Sequence, residues 1–327
     1  MKKMIALLVA LLLLCTLILT GCQKNKEEES VKTDGVIDAA VFILLGQSNA
    51  VGHSLPMTAE DEINTPMANV YGLHCAQNQK LDLKELKWSG YTSKGMNLGE
   101  PQDHTYSLAN CLALNWQAHI DAGNEKNLPD LYIINISIGA EGVTGNYMWN
   151  PDRAPTLTPG KLGTVNISLY PFSQQVFSLV DESFKSKGMD YEYVGLHWRG
   201  GENDLESVAK GVVSTDKLTG IYTTLIEMFN DTLGNPPIVL HEIVAKDRMN
   251  EGDPTGAKLW AMETTNTIYQ DFNKTYSNVT TFDVRNYPAY DPNVRGEGLF
   301  KDDMIHFTAD VNKWVAQQIF EGYLAGK

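Results

Sequence analysis

Five apolar residues in a row, Val41-Phe42-Ile43-Leu44-Leu45, run straight into Gly46-Gln47-Ser48-Asn49-Ala50. An unbroken apolar run of this length predicts a strand covered on both faces, as in a parallel sheet sandwiched between helices. Gly46 permits a sharp turn and a close approach of backbone to a ligand. Ser48 then arrives at the carboxyl end of the strand, where open parallel α/β sheets place their ligands.

The same pattern recurs down the chain. Further strands are expected over 131–138, 191–198, 237–245 and 279–284. Between and after them, helical periodicity covers 106–122, 170–187, 218–233, 257–276 and 308–324, with Thr308 as the N-cap of the last. Leu108, Leu112 and Trp116 form the inner stripe of one helix; Phe172, Val176, Leu179 and Phe184 form that of another. Alternating strands and helices predict a mainly parallel sheet of about five strands with helices on both faces, since each parallel crossover is long and right-handed. Residues 53–104 read as loops with short elements. Residues 140–167 read as a long substrate-facing loop carrying Tyr147, Trp149 and Arg153.

The N-terminus has a different character. Lys2 and Lys3 precede an apolar run from Met4 to Leu19, followed by Leu19-Thr20-Gly21-Cys22. A charged start, an apolar run and small residues before a cleavage point describe an export signal. The run is short for a membrane span, which takes about 20 apolar residues. The ending resembles a bacterial lipobox, which implies removal of residues 1–21 and lipidation of Cys22. Residues 22–35 are polar and charged and read as a disordered tether. Residues 36–327 show no composition break and no internal repeat, so one catalytic domain is expected. The implied location is the bacterial cell membrane, lipid-anchored, on the extracytoplasmic face. Cys75 and Cys111 are then the remaining cysteines, either one disulfide or two buried thiols. A net charge of −14 argues against nucleic acid as a partner.

Two more stretches carry chemistry. In Asp302-Asp303-Met304-Ile305-His306, the spacing of Asp303 and His306 lets the carboxylate accept the imidazole Nδ1–H and leaves Nε2 for a serine proton. In His197-Trp198-Arg199-Gly200-Gly201-Glu202-Asn203-Asp204, an apolar strand ends in glycines and then polar side chains at the same sheet edge as Ser48. Asn203 offers an NH₂ to a developing oxyanion, and such donors contribute roughly 3–4 kcal/mol to acyl transfer. Nucleophile, base, orienter and oxyanion donor are thus all present in one predicted sheet edge. No His, Cys, Asp and Glu grouping has metal-ligand spacing.

Gly46-Gln47-Ser48-Asn49-Ala50, Trp198-x-x-Gly201-Glu202-Asn203-Asp204 and Asp303-x-x-His306, in that order, resemble the SGNH hydrolases. The branch they look most like is the sialate O-acetylesterase-like carbohydrate esterases, with Gln47 before the serine. The resemblance covers residues 39–325. It implies a flavodoxin-like three-layer α/β/α fold and hydrolysis of sugar acetyl esters with no metal and no cofactor. By residue, it implies Ser48 as nucleophile, His306 as base and Asp303 as its orienter. It also implies an oxyanion hole from the Ser48 N–H, Asn203 and a glycine N–H, for which Gly139 and Gly142 compete. Gln47 and Glu202 are implied supports, and Glu100-Pro101 loosely resembles a Gly-Pro-Glu segment. Gly200 departs from the family, which usually has glutamine there.

Trp149 and Arg153 are candidates to stack on and bind a sugar. His53, soon after the serine, is a candidate lining residue, whereas His197 and His241 read as core or edge residues. The expected activity is removal of acetyl groups from acetylated xylan, sialic acid or a related glycan. Alternatives are a general SGNH esterase, a catalytically silent glycan-binding lipoprotein and a solute-binding lipoprotein; the last would need two similar lobes, which the pattern lacks.

Overall fold

In chain order the strands are β1 (Ala39–Gly46), β2 (Val70–Cys75), β3 (Leu86–Gly90), β4 (Asp130–Ser137), β5 (Tyr191–Arg199), β6 (Ile238–His241) and β7 (Val279–Phe282). The helices are α1 (Ser48–Val51), α2 (Leu108–Asp121), α3 (Leu169–Ser186), α4 (Leu205–Ala209), α5 (Thr215–Leu233), α6 (Ala257–Thr275) and α7 (Ala309–Ala325). This computed structural model describes residues 37–75, 83–100, 104–123, 128–153, 167–244, 255–291, 298–303 and 305–327. The signal over 1–21, Cys22, the tether over 22–35 and residues 154–166 of the long loop lie outside the described residues.

One sheet runs in the order β3-β2-β4-β1-β5-β6-β7. All pairings are parallel except β2 with β3 at one edge. The sheet therefore has seven strands and not about five. Both additional strands come from the stretch expected to be mostly loop. Their sequences, Val-Tyr-Gly-Leu-His-Cys and Leu-Lys-Trp-Ser-Gly, are only partly buried and lack the long apolar runs of central strands.

Every residue of β1 is buried, because the strand is central and covered on both faces. On one face Val41, Ile43 and Leu45 pack with α3, α5 and α6. On the other, Ala40, Phe42 and Leu44 pack with α2 and α7. Each fully buried Leu or Phe contributes about 1.5–3 kcal/mol, so these two cores hold the three layers together. The inner stripe of α3 runs through Phe172, Val176, Phe177, Val180 and Phe184, while Leu179 is 41% exposed at its margin. Thr308 does cap α7, its hydroxyl accepting the Val311 N–H. Cys75 and Cys111 are buried and form no disulfide, and burial pushes Cys111 up to about 12.

Candidate active site

The strand register aligns the ends of three strands. Gly46 lies opposite Ser137 of β4 and Arg199 of β5. The turns that follow, bearing Ser48, Gly139 and Glu202-Asn203, therefore leave the sheet at one level. Gly46 has φ +135°, and a Cβ there would lie 2.0 Å from the Arg199 carbonyl oxygen. Only glycine fits where these two backbones meet. The Gln47 N–H then donates to Arg199 O, and Ala50 and Val51 donate to Gln47 O, closing the single turn of α1. Ser48 O accepts from Gly52 and His53. The Ser48 N–H takes part in none of these backbone bonds, and Ser48 lines the cleft.

His306 reaches the same cleft from the loop before α7. Its Nδ1 is 2.7 Å from Asp303 Oδ2, while Asp303 Oδ1 accepts the N–H groups of Ile305 (3.0 Å) and His306 (2.9 Å). Burial raises the Asp303 carboxyl, but these donors and Lys301 outweigh it and hold it well below the usual carboxylate range. A carboxylate so placed keeps the proton on Nδ1 and leaves Nε2 as the basic nitrogen. No hydrogen bond links the Ser48 hydroxyl to His306 among the described residues. Nucleophile–base contacts are often loose before substrate binds.

The polar turn after β5 ties the loops to one another. Asp204 is fully buried and accepts from Val143 N, Thr144 N and Thr144 Oγ1, pinning the loop after β4 to the turn after β5. Burial pushes its carboxyl up to about 6, against the pull of those donors. Asn203 Nδ2 donates to Gln47 Oε1 (3.2 Å) and Glu141 O (3.3 Å). Gln47 thus holds the amide at the cleft wall. Glu202 Oε1 accepts from Asn49 Nδ2 at 3.2 Å. Asn49 was legible as part of the serine motif, but its role was not. Its Nδ2 also donates to Ile305 O (3.2 Å), and its Oδ1 accepts from Phe307 N (3.2 Å).

Of the two competing glycines, Gly139 borders the cleft, whereas Gly142 packs against the Asp204 carboxylate. The Gly139 N–H donates to Glu100 Oε2 at 2.6 Å. Glu100 Oε1 lies 3.2 Å from His53 Nε2, and the His53 ring stands edge-on to His306 with centroids 5.2 Å apart. The hydrogen bond with His53 is the main cause holding the Glu100 carboxyl below its usual range; burial opposes it and the Gly139 N–H adds to it. A carboxylate thus sits on the N–H expected to bind an oxyanion.

One sugar-binding expectation needs correction. Trp149 is fully buried, edge-on to Trp198, and its Nε1 donates to Gly46 O at 3.1 Å. It offers no ring face to a sugar and instead supports the turn that carries Ser48. The Arg153 N–H donates to Asn150 O within a turn, and its charge favours the Glu141 carboxylate against burial. His197 and His241 are buried against each other, Nδ1 to Nε2 2.9 Å. Burial, aided by the charge of Arg199, pulls His197 down to about 3 and His241 well below its ordinary value. At Gly200, a Cβ would lie 3.3 Å from the Trp198 ring.

The cleft measures about 760 Å³. Gln47, Ser48, Gly139, Glu202, Asn203 and His306 line it with His53 and Glu100, and Tyr147, Glu206 and Lys258 extend the wall. Among the described residues, no three His, Cys, Asp or Glu side chains are grouped to hold a metal ion.

The three-layer α/β/α arrangement that the resemblance implies is present, with a seven-stranded, mostly parallel sheet. Among solved structures the chain is similar to NanS, at 14% identity and a TM-score of 0.58, over 88% of this chain and 99% of that one. It is also similar to a protein from Arabidopsis thaliana (15% identity, TM-score 0.48, 88% and 98%) and to the acetyl xylan esterase AlAXEase (13%, 0.39, 86% and 98%). At 14% identity the likeness to NanS is one of fold. No family model matches the chain, and no curated protein matches it.

Proposed function

We propose that this chain is a serine esterase that removes acetyl groups from sugar hydroxyls. The observation that carries this reading is the Asp303–His306 pair, 2.7 Å between Oδ2 and Nδ1, on the same cleft as Ser48. The NanS-like fold and the three motifs in order support it.

His306 Nε2 takes the proton of the Ser48 hydroxyl as Oγ attacks the acetyl carbonyl carbon. The carbonyl oxygen becomes an oxyanion, held by the Ser48 N–H, by Asn203 Nδ2 once it releases Glu141 O, and by the Gly139 N–H once Glu100 yields it. The tetrahedral intermediate collapses, the ester C–O bond breaks, and His306 gives its proton to the departing sugar oxygen. Water, deprotonated by His306, then attacks the acetyl-serine; the acyl C–Oγ bond breaks, His306 returns the proton to Ser48 Oγ, and acetate leaves. Asp303 holds the imidazole in one tautomer throughout. Gln47 and Glu202 keep Asn203 and Asn49 in place.

The N-terminal pattern supports export and lipid anchoring at Cys22, which would present the cleft to glycans outside a bacterial cell membrane. Acetate release by the full-length protein from a panel of acetylated xylans, sialic acids and other glycans tests the function, with Ser48→Ala as control. Release that Ser48→Ala abolishes supports the reading. Equal release by both proteins, or none from any ester, overturns it.

A further inference from the structure

Arg199 ends β5 opposite Gly46 and is 2% exposed. Its Nη1 donates to Asn49 O (3.3 Å) and to Asn312 Oδ1 (2.9 Å). The guanidinium carbon lies 4.8 Å from the centroid of the Phe307 ring. One planar group therefore touches the residue after Ser48, the residue after His306 and helix α7. Asn312 extends the contact by donating to Tyr106 O at 2.8 Å.

A merely stabilising role fits this cation poorly. Among the described residues no carboxylate lies within ion-pair distance of it, and its Nε and Nη2 carry no hydrogen bond. Burying a charge without a bonded counter-ion costs stability, and replacing such groups by apolar ones is often neutral or better. Burial draws the guanidinium down to about 10, so it is charged at neutral pH. What the site gains is geometry: Nη1 alone donates to Asn49 O and Asn312 Oδ1 while the flat guanidinium packs on the Phe307 ring, a face that an ammonium lacks.

We propose that Arg199 is a positioning residue that sets the separation of Ser48 and His306 by clamping Asn49, Phe307 and Asn312 together. It touches neither substrate nor reacting atoms, so it acts on the chemical step and not on binding. The proposal rests on the esterase reading of Ser48.

Arg199→Met and Arg199→Lys, made in the full-length protein, test it with p-nitrophenyl acetate turnover and the rate of Ser48 labelling by a fluorophosphonate. Near-UV circular dichroism and the melting temperature report the fold. Arg199→Met is expected to lower kcat and the labelling rate by about tenfold or more, with KM changed by less than about twofold. Arg199→Lys is expected to remain below wild type, because an ammonium lacks the flat face that packs on Phe307. A folded Arg199→Met protein with wild-type kcat, or full recovery in Arg199→Lys, overturns the proposal. If Arg199→Met does not fold, Asn312→Ser decides: kcat reduced at unchanged KM supports the clamp, and wild-type kcat overturns it. If the wild-type protein neither turns over ester nor takes the label, the esterase reading fails and this proposal falls with it.

Discussion

Asn49 Oδ1 accepts the backbone N–H of Phe307 at 3.2 Å, so the residue after the serine holds the residue after the histidine. Its Nδ2 also grips Ile305 O, so one buried amide fastens the backbone on both sides of His306. Asn49→Ala leaves these backbone groups unpaired in a buried place. Each such loss costs about 1–3 kcal/mol. We expect a lower denaturation midpoint and, in the folded fraction, kcat reduced by about tenfold or more at similar KM. Guanidinium denaturation alongside ester turnover measures both.

Glu100 Oε2 occupies the Gly139 N–H. Glu100→Ala frees that donor for the acetyl oxygen. An added oxyanion donor is worth up to about 3–4 kcal/mol when well aimed, and less when the loop relaxes. We expect kcat on p-nitrophenyl acetate to rise by a few-fold. A fall would show that Glu100 assists catalysis through His53.

The Asp303 carboxyl is held below its ordinary pKa, against burial, by the donors around it. An unfolded aspartate titrates near about 3.9. The stability this group supplies is therefore full above about pH 5 and is lost as pH falls below about 4, through the folded value. Asp303 is a third exposed, so solvent screening limits the effect to about 1 kcal/mol or less. The stability gap between wild type and Asp303→Asn should shrink as pH falls from about 5 to below about 4. Urea denaturation across that range checks it.

Trp149 supports the serine turn from beneath through its indole N–H. Trp149→Phe should cost about 0.5–1.5 kcal/mol for the lost hydrogen bond, with lost packing added, since Gly46 O keeps the Ile138 N–H at 3.4 Å. KM for acetylated sugars should stay unchanged, since the ring faces no solvent. Thermal unfolding and sugar-ester kinetics separate these effects; a large KM rise would mean that the ring meets substrate after all.

What could be read in advance followed the range of the signal. The central strands β1, β4 and β5 show in sequence because burial on both faces demands long apolar runs. Strands β2 and β3 did not show, because a half-exposed edge pair carries mixed residues. Leu179 had the right spacing for the α3 stripe, yet helix drift leaves it at the margin. Ser48 after a strand and glycine, and Asp303 three residues before His306, are local patterns whose geometry the chain determines over a few residues.

By itself, then, the sequence determined the alternating α/β architecture, the serine at a strand end and the Asp–His pair, since all depend on short-range periodicity and spacing. Only the tertiary structure decided that Glu100 takes the Gly139 N–H, that Trp149 turns inward and that Asn49 and Arg199 bind the two halves of the site. Those contacts join residues up to 258 positions apart, as with Asn49 and Phe307. No local pattern encodes such a meeting; it exists only once the parallel strands align their ends.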